Sequence, residues 1–110
     1  MSALADLKVS PAVVFISICM LYLYCISDCA GRCKFGYSVD PLGRLRSLQT
    51  GNSAALSLVH SIQVDPLRVR ELESLLHREI GSHRRLKGEW FSIDSVTAKN
   101  LLLWFEIRYC

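Results

Sequence analysis

The sequence has no Cys-x-x-Cys pair, although it contains five cysteines. An odd number of cysteines without that spacing supports neither a zinc site nor a framework of disulfides. We therefore expect reduced thiols, as in a cytoplasmic protein. Internal repeats and low-complexity linkers are also missing, and 110 residues allow for one domain. Because 51% of the residues are apolar, a disordered chain is excluded.

A hydrophobic run long enough to cross a membrane is missing as well. The apolar stretch 11–26 is interrupted by Ser17, and it is shorter than the roughly 20 residues that a spanning helix needs. Before it, Lys8 is offset by Asp6, which is too little positive charge for a signal peptide. Its β-branched and aromatic residues favour a buried strand. A small membrane-anchored protein is the least favoured alternative.

The sequence has little excess of either charge, but that excess is unevenly placed. Residues 1–30 contain one Lys against two Asp, a net charge of −1, whereas residues 31–110 contain twelve Lys and Arg against eight Asp and Glu, a net charge of +4. A basic domain suits a polyanionic partner, although many basic domains bind no nucleic acid. The charge therefore favours DNA as a partner without deciding it.

Turn residues and periodicity predict a hairpin and two helix starts. Strands are expected at 20–27 and 32–38, joined by a Gly-containing loop. Asp40-Pro41 and Asp65-Pro66 each combine a capping side chain with a proline suited to the first helical position. The helices they open are predicted to end at Gly51-Asn52 and at Gly81.

A third strand and a last helix complete the predicted fold. Residues 55–63 alternate apolar positions as in a half-buried strand. A final helix is capped by Ser92 or Asp94. The predicted fold class is α+β: a small three-stranded antiparallel sheet flanked by helices, in the order β-β-α-β-α-α.

Several side chains on these elements are suited to phosphodiester cleavage. That reaction needs a general base, a positive charge on the phosphate and a carboxylate for a divalent cation. Tyr, Arg and Glu provide these groups, but their spacing is equally compatible with core and surface roles. From the residues alone, the conclusion is a small basic α/β domain. The candidates are Tyr22, Tyr24, Arg44, Arg46, Glu73, His77, His83, Arg84, Arg85 and Lys87.

Five segments in order resemble the GIY-YIG nuclease superfamily. They are residues 21–26, Lys34-Phe35-Gly36, residues 38–45, the pair Glu73 and His77, and the run of Arg84 or Arg85 followed by Gly88-Glu89-Trp90-Phe91. Leu48-Gln49-Thr50-Gly51-Asn52 and the pair Glu73 and His77 are most similar to the branch found in phage, bacterial and some fungal proteins, whose second motif commonly reads Lys-Ile-Gly. The resemblance implies a GIY-YIG-like domain over residues 20–110. It leaves residues 1–19 as an extension outside that domain.

The resemblance also implies a site. Tyr24 corresponds to a tyrosine that acts as general base, with its pKa lowered by Arg44 and a metal ion. Arg44 would hold the scissile phosphate, and Glu73 would bind a single Mg²⁺ or Mn²⁺ ion. No small-molecule cofactor is implied. The expected contacts with DNA phosphates come from Lys34, Arg46, His77, Arg84, Arg85 and Lys87.

The function implied by the resemblance is that of a metal-dependent DNA endonuclease, cytoplasmic and of phage or mobile-element type. Leu21 stands where the superfamily has glycine. A catalytically inactive DNA-binding module on the same fold is therefore the main alternative.

Overall fold

The first two strands form the predicted hairpin. The structure, a computed structural model, describes residues 20–110. It contains β1, Leu21–Ser27, and β2, Arg32–Ser38, paired antiparallel. Both strands are confirmed within one residue of their predicted bounds. The predicted extension, residues 1–19, lies outside the described residues.

The turn between β1 and β2 is organised by the buried carboxylate of Asp28. Its Oδ1 accepts hydrogen bonds from the backbone N–H groups of Ala30, at 2.9 Å, and of Arg32, at 3.1 Å. Its Oδ2 lies 2.5 Å from Arg32 Nε. Burial raises the pKa of Asp28, but these hydrogen bonds and the charge of Arg32 together lower it by more. The pKa of Asp28 therefore lies below its ordinary value. Gly31 takes a φ of 84° in this turn, which glycine adopts without strain.

The other elements follow in chain order. The caps of the first and last helices agree with their prediction, since Asp40 Oδ1 accepts from Gly43 N at 3.0 Å and Asp94 Oδ1 from Thr97 N at 2.8 Å. The elements are α1, Pro41–Thr50; β3, Ser57–Val64; α2, Val69–Ile80; a 3₁₀ turn, Ser82–Arg84; β4, Trp90–Ser92; and α3, Ser95–Tyr109.

The sheet has four strands, so the predicted three-stranded sheet was wrong, although the α+β class holds. The strand order is β3-β1-β2-β4, and every neighbouring pair is antiparallel. The unpredicted strand, β4, is three residues long and pairs with residues 32–34 of β2. A segment this short carries no readable periodicity, and its strand character comes from the partner it meets.

The second helix begins later than predicted. Asp65 caps a turn and not the helix: its Oδ1 accepts from Leu67 N and its backbone oxygen from Arg68 N, both at 2.9 Å. The helix starts at Val69 and ends at Ile80, with Gly81 beyond it as predicted. Asp65-Pro66 therefore marks a turn that precedes the helix. The predicted start of the helix was about one helical turn too early.

The hydrophobic core lies between one face of the sheet and the helices α2 and α3. Alternation along β1 and β2 sends every second side chain into it. Tyr22 and Tyr24 point to the opposite face, where α1 lies beside them. The fully buried core side chains include Leu23, Cys25, Cys33, Phe35, Leu72, Leu76, Phe91, Leu102 and Phe105.

The four cysteines of the described region are free thiols. Cys25 and Cys33 are buried in the core, whereas Cys29 and Cys110 are exposed. The expectation of reduced thiols stays a prediction. Within residues 20–110, no helix combines the length and the apolar character that crossing a membrane requires.

Candidate active site

The candidate active site lies where β4 ends and leaves part of the edge of β2 without a neighbouring strand. β4 pairs only with residues 32–34. Just beyond that ladder, Phe35 N donates to the backbone oxygen of Glu89 at 3.3 Å. From Gly36 onwards, the described structure shows no strand beside β2 on this side. Side chains from both faces of the sheet can therefore meet around this edge.

Gly36 provides the space through which Tyr24 reaches the edge. The two residues are opposite each other in the β1–β2 ladder. A Cβ atom at position 36 would lie 2.6 Å from the Tyr24 hydroxyl oxygen and 3.2 Å from Glu89 Oε2. The absence of a side chain thus lets the phenol of Tyr24 cross the backbone of β2. Its ring is buried, with 2% of the residue exposed.

An open cavity of about 330 Å³ surrounds this hydroxyl, and we call it the edge cavity. The three predicted catalytic residues reach it from β1, α1 and α2. The structure therefore brings them together, while their chemical roles stay predictions. Two further residues, Tyr37 and Glu89, were not predicted. The lining residues are Tyr24, Tyr37, Arg44, Glu73 and Glu89.

Tyr24 does not have the lowered pKa that was expected. Burial of the phenol raises its pKa above the ordinary value of 10.0, and the carboxylates of Glu89 and Glu73 raise it further. A hydrogen bond with Arg44 and the positive charge of Arg44 both lower the pKa of Tyr24, but by less than burial and the carboxylates raise it. The expectation counted Arg44 together with a metal ion; among the groups of the protein itself, burial of the ring outweighs Arg44, and a lowered pKa in the metal-bound site stays a prediction.

The pKa of Glu73 is also raised above its ordinary value of 4.5. Partial burial is the main cause, and repulsion from Glu89 is the next. The charges of Lys34 and Arg85 act in the opposite direction. A carboxylate that is held near a second carboxylate is a group that a cation would stabilise.

Glu89 is held by Lys34, a residue predicted to contact DNA. Lys34 Nζ lies 3.4 Å from Glu89 Oε2, and its side chain is 11% exposed. The same ammonium group lies 5.9 Å from the centre of the Trp90 ring. Lys34 therefore supports Glu89 from behind the lining of the cavity and presents little surface of its own. The sequence offered one hint of the role of Glu89, because it is the only acidic residue between the basic loop 83–87 and Trp90.

Two other predicted DNA contacts also have structural roles. His77 Nε2 lies 3.2 Å from the backbone oxygen of Phe35, and its ring packs against Phe91. Arg85 Nε donates to Gly88 O at 2.9 Å, with its guanidinium over the Phe91 ring.

The remaining predicted contacts lie at the surface. Arg46 is exposed on α1, with Nη2 3.9 Å from Asp40 Oδ2. Arg84 is half-buried at the end of the 3₁₀ turn, and Lys87 is exposed in the following loop. A second cavity of about 430 Å³ lies beside His77 and Arg85 and is also lined by Arg78 and His83. It is rich in groups that attract phosphate.

The edge cavity offers a donor set that fits Mg²⁺. Glu73 and Glu89 both line it, and carboxylate oxygens are the ligands this hard cation prefers. Mg²⁺ commonly takes one or two carboxylates and completes its shell with water and phosphate oxygens. Among the described residues, no group of three or more His, Cys, Asp or Glu is placed to hold a metal ion. The fit is therefore to an ion shared with a bound phosphate.

Fold and site together define a small α+β domain with tyrosine, arginine and carboxylate groups at an open sheet edge. The family model of the T5orf172 domain matches residues 20–106, and the chain belongs to this family. The family assigned from the sequence, GIY-YIG, was therefore wrong: the matching model is that of the T5orf172 domain. Membership of this family is consistent with a DNA-related, nuclease-like role. No curated protein and no solved structure matches the chain.

Proposed function

We propose that this protein is a metal-dependent phosphodiesterase that cuts a DNA strand in the edge cavity. The observation that carries the proposal is the convergence of Tyr24, Arg44 and Glu73, with Glu89, on one cavity from separate elements of the fold. Membership of the T5orf172 domain family supports DNA as the substrate.

Arg44 is the group suited to hold the scissile phosphate. It is exposed on α1 at the edge cavity, so a phosphate reaches it without any rearrangement of the core. A guanidinium group binds two phosphate oxygens at once and keeps its charge at all relevant pH values. Arg44 would therefore fix the orientation of the phosphate beside the Tyr24 hydroxyl.

Glu73 and Glu89 would hold a Mg²⁺ or Mn²⁺ ion, which when bound neutralises charge on the phosphate oxygens. Partial burial and, after it, repulsion from Glu89 raise the pKa of Glu73. Lys34 supplies positive charge to Glu89. Lys34 thus partly offsets the negative charge of the two carboxylates.

Tyr24 would take the proton of the attacking water in its phenolate form. Because its pKa is raised, only a small fraction is ionised at neutral pH, and Arg44 is the neighbour that favours ionisation. We therefore expect the cleavage rate to increase about tenfold for each pH unit between about pH 7 and 9. A rate that is independent of pH over this range would remove Tyr24 from the role of base.

Cleavage of supercoiled plasmid DNA in Mg²⁺ tests the proposal. Glu73→Gln and Arg44→Ala should each lower the rate by about 10² to 10³. Arg70→Ala, exposed on the same helix as Glu73 but not lining the edge cavity, is the matched control and should cut normally. The proposal fails if the wild-type protein never cuts, or if both variants cut as well as it does.

A DNA-binding module without catalysis is the second candidate, favoured by the raised pKa of Tyr24 and by the pairing of Glu89 with Lys34. It predicts salt-sensitive binding with no metal-dependent cleavage. For either candidate we propose a cytoplasmic protein, because Cys25 and Cys33 are buried free thiols on adjacent strands.

A further inference from the structure

A separate cavity of about 210 Å³ lies beside Trp90, and we call it the Trp90 cavity. Lys34 Nζ lies 3.4 Å from Glu89, which lines the edge cavity, and 5.9 Å from the ring centre of Trp90. One side chain therefore contacts a wall of each cavity. The Trp90 cavity is lined by Asp28, Arg32, Asn52, Leu86, Lys87 and Trp90.

The walls of the Trp90 cavity combine apolar surface, an amide and positive charge. Trp90 is half-buried and Leu86 is 42% exposed. Asn52 Oδ1 accepts from Ala54 N at 2.9 Å, which fixes the orientation of the amide and leaves its NH₂ group available as a donor. Arg32 and Lys87 are exposed cations at the rim. The carboxylate of Asp28 is already engaged by the hairpin.

This combination matches the chemistry of a nucleotide. An aromatic side chain stacks on any base because every base has a π face. An amide hydrogen-bonds the edge of a base, and cations at the rim meet the attached phosphates. We propose that the Trp90 cavity binds one nucleobase of the DNA strand next to the phosphate held in the edge cavity. The proposal rests on the proposed function in one respect, that the ligand is DNA.

The cavity is preformed in the free protein. Trp90 lies in β4, opposite Lys34 of β2. The loop before it closes on itself, since Leu86 N donates to Trp90 O at 2.8 Å and Arg85 Nε to Gly88 O at 2.9 Å. Walls that are already ordered lose little freedom when a ligand binds. A single stacked base is therefore expected to contribute measurably to affinity.

Fluorescence of Trp90 tests the proposal directly. The chain has two tryptophans, and Trp104 is exposed on α3, so Trp104→Phe leaves Trp90 as the only tryptophan whose emission is followed. In metal-free buffer, a short oligothymidine strand should quench its emission saturably. A strand of equal length with abasic sites keeps the phosphates but should bind about tenfold more weakly and quench little. Equal affinity and equal quenching for both strands would overturn the base site.

A second pair of variants tests the cavity without substituting Trp90. Leu86→Ala removes one apolar wall and should weaken oligothymidine binding about threefold while the abasic strand is unaffected. Leu67→Ala, a more exposed leucine outside the cavity, is the control and should change neither affinity. If Leu86→Ala leaves the preference for the base-bearing strand intact, the site is wrong.

The two proposals fail in different ways. If plasmid DNA is cut but the protein binds both strands equally, the base site is overturned and the phosphodiesterase stands. If neither strand binds at any salt concentration, DNA is not the ligand and both proposals are overturned.

Discussion

Among single residues, Gly36 has the clearest effect on the site. Its missing side chain is the reason that the Tyr24 hydroxyl reaches the edge cavity, since any Cβ would lie 2.6 Å from that oxygen. The neighbouring oxygen belongs to Tyr24, which is only 2% exposed, so its ring has little room to move.

Gly36→Ala should therefore damage activity more than stability. We expect a loss of about 10² in the cleavage rate, because displacing a catalytic group by about 1 Å has that effect. Overpacking should lower the free energy of unfolding by about 1–3 kcal/mol. Gly51→Ala is the control, since a Cβ at Gly51 meets no atom within 4 Å. Plasmid cleavage and urea unfolding of both variants measure the two effects, and normal cleavage by Gly36→Ala would contradict the reasoning.

Glu73→Gln should stabilise the protein while abolishing its response to Mg²⁺. The pKa of Glu73 is higher in the folded than in the unfolded state, so the folded protein binds the proton more tightly. Stability therefore decreases as the pH rises through the range above 4.5, and the charged form costs stability at pH 7. Because the group is partly exposed and screened, the gain on substitution should be under about 1 kcal/mol.

Thermal unfolding with and without Mg²⁺ measures this directly. The ion should raise the Tm of the wild-type protein through binding to the folded state, and should leave Glu73→Gln unchanged. Glu71→Gln, exposed on the first turn of the same helix, is the control. A variant that is less stable than the wild type at pH 7 would show that Glu73 is held by a favourable contact.

The sequence predicted part of the site and missed part for physical reasons. We selected Tyr24, Arg44 and Glu73 from the order of five short sequence segments, and all three line the edge cavity. Glu89 joins them only because β4 pairs with β2, and Tyr37 only because the edge of β2 is open there. The raised pKa of Tyr24 reflects burial, which depends on the packed structure and not on the residue types nearby.

At the scale of elements, the β1–β2 hairpin depends on Asp28. Asp28→Ala removes two backbone hydrogen bonds and the contact with Arg32, and should lower the free energy of unfolding by about 2 kcal/mol at pH 7. The pKa of Asp28 is depressed in the folded state, so its contribution is present above 3.8 and is lost as the pH falls through the folded-state pKa.

Urea unfolding of Asp28→Ala and the wild type as a function of pH tests this sign. The difference between them should shrink as the pH falls below 3.8 and through the depressed folded-state pKa of Asp28. Asp65→Ala, which removes the cap of an exposed turn, should have a smaller effect. A difference that does not depend on pH would mean that the charge of Asp28 contributes nothing.

Elements with local signals were predicted well, and those that depend on distant partners were not. The hairpin and α1 have turn and capping residues within a few positions of each other. The start of α2 was placed too early because Asp65 satisfies a turn before the helix begins. β4 has no local signal, because a segment of three residues becomes a strand only beside β2.

At the scale of the whole molecule, the excess of positive charge in residues 31–110 should make DNA binding dependent on salt. Lys87 is exposed in the loop before β4 and lines the Trp90 cavity, so Lys87→Gln should reduce the slope of log K against log salt by about 1. Lys99→Gln, exposed on α3, should leave the slope unchanged. Titrations of a fluorescent duplex at several salt concentrations provide the slopes, and equal slopes for the two variants would contradict this placement.

The open edge of β2 has a further consequence for solubility. An unpaired strand edge is a template on which a second chain can add a strand and begin to aggregate. At Phe35, however, the N–H donates to Glu89 O and the carbonyl oxygen faces His77 Nε2 at 3.2 Å. These two backbone groups of Phe35 are therefore already occupied. Glu89 and His77 thus protect this position of β2, next to the edge cavity, from pairing with a second chain.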